Sequence, residues 1–247
     1  MYDFVYNKAI LTNKILNQYN ILKHFDSSKQ LLIHRYEDAA RETGDGLIDL
    51  NQKAVCKLEA KNYFAVWIKT NLPADEREAT ILEELIHIEQ SYKEFERITS
   101  NTLSSLNSVI WDLYAHDKIE RIGCFEEIQR SNFEGLKTAI ETHMSTGDHK
   151  NICLDSNMIL WWYDLTILDP EKFGEETNNY LDYIISHFKY KEHENIWNKI
   201  KEIIHENEFC LLSTLATNTL KQIHLTLSNN EPILDMIELN TLDLNLA

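Results

Sequence analysis

Glycine and proline are scarce in this chain, with 6 and 3 copies among 247 residues. No glycine-rich phosphate loop, nucleophile elbow or repeat of fixed period is present, so the chemistries and solenoid folds built on those patterns are set aside. Cysteine is also sparse: Cys56, Cys124, Cys153 and Cys210 lie far apart with no Cys-x-x-Cys pair. Neither a zinc ribbon nor a redox dithiol is indicated, and buried thiols are expected. No apolar run approaches the length of a membrane span, and the first seven residues lack the basic-then-apolar layout of a signal peptide. A cytoplasmic protein without membrane contact is therefore expected. Basic residues are outnumbered, 24 against 40 acids, for a formal charge of -16. That balance works against sequence-independent binding to nucleic acid, and leaves neutral, cationic or protein partners. Oligomeric state is not legible.

What is present is enough apolar content, 43%, to bury a core in one large domain or two modest ones. Ile10, Leu11, Ile15, Leu16, Tyr19 and Leu22 fall at the spacing of an amphipathic helix from about 6 to 25, ended by Asp26-Ser27-Ser28. Extended segments are predicted at 31–37, 46–50 and 61–69, the last aromatic and β-branched through Tyr63-Phe64-Ala65-Val66-Trp67-Ile68. Residues 54–59 read equally as strand or helical turn. Together these predict a small, largely antiparallel sheet. Pro73 then stands where a helix can begin, and Ile81, Leu82, Leu85, Ile86 and Ile88 continue a helical stripe from 75 to about 97. A further helix is predicted from 101 to 122, stopped by Gly123.

The first of these two helices carries Glu83-Glu84-Leu85-Ile86-His87, one letter from His-Glu-x-x-His. At about 3.6 residues per turn, positions 83 and 87 point the same way and can reach one ion, with Glu84 beside them near a metal-bound water. Carboxylate oxygen and imidazole nitrogen both suit zinc, and a neighbouring glutamate that is not a ligand can take the water's proton. On the second helix Asp112, His116 and Glu120 share a face at four-residue steps, beside an apolar stripe of Trp111, Ala115 and Ile119. The bland alternative for both helices is a solvated acidic face. Gln90, one turn past His87, reads as a plain exposed residue, with orientation of a ligand as its other role.

Glu83-Glu84-x-x-His87 after a sheet, followed by a helix bearing Asp112-x-x-Ala115-His116-Asp117, resembles the gluzincin branch of the zincin metallopeptidases over residues 1–125. The nearest kin suggested are small intracellular regulatory peptidases of the IrrE-like kind. The resemblance implies His87 and Asp112 as metal ligands, Glu83 in the place of the missing first histidine, and Glu84 as general base. A carboxylate at 83 adds negative charge, which weakens Lewis acidity and shifts preference toward harder ions such as manganese. Zinc remains the expected metal. His116 or Tyr114 is placed by helix phase to stabilise an oxyanion.

Beyond Gly123 the chain reads as mostly helical: 128–144, an aromatic-rich run at 152–168 with Trp161-Trp162-Tyr163, a start at Asp169-Pro170, then 180–188, 196–204 and 211–227. His143, His149, His187, His193, His205 and His224 lack metal spacing and are expected to be structural. The whole is an α+β protein: a zincin-like domain at 1–125, with N-terminal helix, small sheet and motif helices, and a helical domain at 126–247. Two functions are expected in competition. One is a metal-dependent peptidase of narrow specificity, regulatory in role and acting on a protein or peptide. The other is a zincin-derived binding or structural module without hydrolysis.

Overall fold

The structure, a computed structural model, describes residues 11–36, 53–57, 62–93, 104–146, 156–188 and 191–206. Among them are seven α-helices and a three-stranded sheet, an α+β fold. Predictions at 46–50, 211–227, His149, His224, Cys153 and Cys210 lie outside the described residues.

Helix α1 (Asn13–Phe25) starts where the Thr12 side chain accepts from the Ile15 amide at 3.3 Å, satisfying one of the donors that a helix start leaves orphaned. Ile15, Tyr19 and Leu22 form its buried face. Asp26 ends it and folds back, accepting from the Ser28 amide at 3.0 Å and the Ser28 hydroxyl at 2.6 Å, which launches strand β1 (Gln30–Arg35). Strand β2 (Ala54–Lys57) resolves the ambiguous segment as a strand, and β3 (Tyr63–Ile68) follows.

The sheet has the order β1-β3-β2, with β3 antiparallel to β2 but parallel to β1. This corrects the expected, largely antiparallel sheet. Alternation and residue type report that a segment is extended, whereas strand direction depends on which strand takes the centre. Phe64 through Ile68 are all buried, as a strand covered on both faces requires. Leu31, Ile33, Phe64, Val66 and Ile68 share one face, and Tyr19 of α1 meets Phe64 edge-on with ring centroids 6.1 Å apart. Ala65 and Trp67 cover the other face with Tyr36, Leu32 and Val55.

Helix α2 (Ala74–Tyr92) begins after Pro73, with Asp75 and Glu76 complementing the positive end of its dipole. It packs on α1, β2 and β3. Helix α3 (Ser104–Ile122) stops at Gly123, whose φ of 76° is the left-handed conformation that glycine adopts without a Cβ clash. The Gly123 amide donates to Glu120 O at 2.8 Å and the Cys124 amide to Ile119 O at 3.2 Å, closing the helix end as a Schellman motif. Lys14 of α1 donates to Gly123 O at 2.8 Å.

The chain forms two compact units, 1–94 with 118–128 and 95–117 with 129–247, so α3 is one helix whose ends belong to different units. The described residues of the second unit are helical: α4 (Glu126–Thr146), α5 (Ser156–Trp162), a π-helical segment (Tyr163–Leu168), α6 (Pro170–Ser186) and α7 (Lys191–Glu206). Its core gathers Leu113, Leu136, Ile140, Met158, Trp162, Leu165, Leu181, Trp197 and Ile200, with Trp162 and Trp197 edge to face at 5.9 Å. The aromatic run thus serves as core, as its density predicts. His193 is fully buried and His187 stacks on Tyr183 at 4.2 Å. No helix among the described residues is long and apolar enough to cross a membrane.

Candidate metal centre

The apolar stripe of α2 decides which of its side chains can meet solvent. Ile81, Leu82, Leu85, Ile86 and Ile88 are buried, which leaves Glu83, Glu84 and His87 together on a half-buried face. His87 is held from below: its Nδ1 lies 2.7 Å from Gln90 Oε1. An amide oxygen only accepts, so Nδ1 carries a proton, which makes Nε2 the ring nitrogen suited to ligation. Gln90 itself is fully buried, a correction to its expected exposure. It extends the row Leu82-Ile86 by one more turn, so helix phase outweighs amide polarity there.

The next buried polar residue was not anticipated. Glu89, also inside, accepts from Gln18 Nε2 at 2.5 Å and pairs with Lys93 at 2.7 Å and with Lys118 of α3. Burial pushes its carboxyl up, but the hydrogen bonds from Lys118, Lys93 and Gln18 outweigh it and hold the group below its ordinary value. The sequence signal was phase again: residue 89 lies one helical turn past the buried Leu85 and Ile86.

Lys118 thus ties α3 to α2, and Asp112 stands six residues earlier on the same unbroken helix. One ligand atom each from Glu83, His87 and Asp112 lie within 4.8 Å of one another, and all three residues are half-buried. Zinc takes carboxylate oxygens and imidazole nitrogens at about 2.0–2.2 Å, so three donors this close can converge on one cation by small side-chain rotations. The donor set fits a divalent ion in charge as well, since two carboxylates and a neutral imidazole balance it. Nothing in the geometry distinguishes zinc from another divalent metal. Glu84 shares the half-buried face of α2 and is not among the three clustered donors.

His116, expected near the chemistry, follows Asp112 by one turn of α3. It is buried, and its Nδ1 lies 2.7 Å from Asp164 Oδ2. Asn132 Nδ2 donates to the same oxygen at 2.6 Å. Burial pushes the Asp164 carboxyl well up, against the opposing pull of His116 and Asn132, and the nearby charge of Asp112 adds to the rise. Tyr114 is buried too. The clue to Asp164 was a single carboxylate directly after Trp161-Trp162-Tyr163, in a run otherwise fit for a core.

Set against known proteins, the chain matches no protein-family model, no curated protein and no solved structure.

Proposed function

We propose that the protein is a metal-dependent hydrolase, a zincin-like peptidase of narrow specificity that acts on a protein or peptide and serves a regulatory role. The observation that carries this reading is the convergence of Glu83, His87 and Asp112. Gln90 supports it, because a ligating histidine is ordinarily oriented through its other ring nitrogen. Zinc is the metal proposed, since carboxylate oxygen and imidazole nitrogen both suit it. When bound, such an ion supplies Lewis acidity toward a peptide carbonyl and lowers the pKa of water. Glu84, one residue from a ligand on the solvent-facing side of α2, takes the proton of the attacking water on a carboxylate oxygen and returns it to the leaving amine. His116 Nδ1 is engaged by Asp164, so this reading gives the ring no contact with substrate.

A second reading has an observation of its own. Glu83 stands where the motif calls for histidine, and a second carboxylate on the ion weakens its Lewis acidity, which favours a metal-binding module without hydrolysis. Metal analysis of the purified chain separates these readings from a plain helical interaction protein. One divalent ion per chain is expected, lost in His87→Ala. A metal-free wild type ends both metal readings. Glu84→Gln is expected to keep the ion and abolish cleavage of any peptide that the wild type cleaves; turnover unchanged in that variant removes Glu84 from the chemistry.

A further inference from the structure

Asp164 sits in a segment wound as a π-helix, a rare geometry that is frequent at functional sites. Its carboxylate is fully buried; Oδ2 takes both the His116 and the Asn132 hydrogen bonds, and Oδ1 has no hydrogen-bond partner among the described residues. Such a cluster is a poor source of stability. Removing a carboxylate and an imidazole from water costs several kcal/mol, by order of magnitude, and apolar residues of similar volume generally serve a core as well or better. The core of this unit is mostly of that apolar kind, with Leu113, Leu136 and Leu165 among its buried side chains. What the cluster does supply is direction. It joins three separate elements, α3 through His116, α4 through Asn132 and the π-helical segment through Asp164, by bonds that tolerate little rotation. His116 lies one turn beyond Asp112 on the same face of α3, and the charges of Asp112 and Asp164 sense one another.

We infer that Asp164 and His116 are positioning residues for the metal centre: the buried Asp164–His116–Asn132 junction fixes the rotation of α3 about its axis and so aims Asp112 at the cation. This rests on the metal-site reading above. Neither residue touches the ion, and their work is done when the helix is locked. An apolar junction would hold the helix in place but leave its rotation looser, which a ligand on the next turn would feel as a weaker and less selective site.

The test uses the full-length chain, with zinc alone and manganese alone as titrants, followed by calorimetry, and a thermal melt of each variant without metal. The double variant His116→Phe with Asp164→Leu is expected to melt at or above the wild-type temperature and to bind metal about tenfold more weakly or worse. Asp164→Asn, whose side-chain oxygen still accepts from His116 Nδ1, is expected to bind close to wild type, whereas Asp164→Ala is expected to fall with the double variant. Wild-type affinity in a folded double variant overturns the proposal and leaves the metal site standing. So does an Asp164→Asn protein as weak as Asp164→Ala, which decides the matter if the double variant does not fold. A wild type that binds neither ion overturns the site reading and this inference together.

Discussion

Glu89 in the first unit and Asp164 in the second are both buried carboxylates, and the two are treated in opposite ways. Glu89 has an ammonium from its own helix, a second from α3 and an amide from α1, which together overcome the cost of burial. Asp164 has one imidazole and one amide on a single oxygen, and burial wins. The first is a compensated anchor of the kind that holds helices together. The second is under-compensated, and its retention calls for a purpose other than stability. A buried charge is therefore informative only alongside a count of what faces it.

The contrast makes measurable claims. The largest effect is expected from Glu89→Ala, which removes the carboxylate that Lys118 is paired with; a loss of about 3 kcal/mol in urea unfolding is expected. Destabilisation under about 1 kcal/mol, the range of an exposed pair, would erase the distinction between the two carboxylates. Next comes pH. Glu89 has a folded pKa below its unfolded value, so the unfolded chain binds more protons in that window; its contribution is present above about pH 4.3 and is lost as pH falls through the folded pKa. Asp164 is raised, so the folded chain holds the extra proton, and its contribution declines as pH climbs above about 3.9. Stability measured across the acid range is expected to rise less steeply with pH in Glu89→Gln and more steeply in Asp164→Asn than in the wild type; equal curves for the two variants would contradict the assignment. The smallest effect is on folding at neutral pH in Asp164→Asn, expected to change stability by no more than about 1 kcal/mol in either direction.

Local pattern went far in this chain. The stripe of α2, the aromatic centre strand and the glycine that halts α3 were all legible, because each is fixed by neighbours within a few residues. So was the pairing of Glu83 with His87, which needs only helical pitch; Asp112 came as their companion from the resemblance to gluzincins, since the face it shares with His116 and Glu120 does not single it out. That these atoms approach within 4.8 Å depends on the tertiary course of two helices and could be expected but not read. Strand direction failed for the same reason, since β1 finds its parallel partner only across intervening chain. The other misses share a different cause. Glu89, Gln90 and Asp164 occupy positions whose phase or surroundings say inside while their chemistry says outside; Gln90 was read as exposed on its chemistry, and Glu89 and Asp164 were not singled out. Their partners, Gln18, His87, Lys118, His116 and Asn132, are what make the interior tolerable, and most of them are distant in sequence.

The strand order β1-β3-β2 also bears on how the protein is made. The middle ribbon of the sheet is the last of the three to leave the ribosome, so both outer strands emerge with their hydrogen-bonding edges open and must wait for it. At a translation speed of roughly 5–20 residues per second the wait is on the order of seconds, long enough for a chaperone to engage the nascent chain and for exposed edges to pair wrongly at high expression.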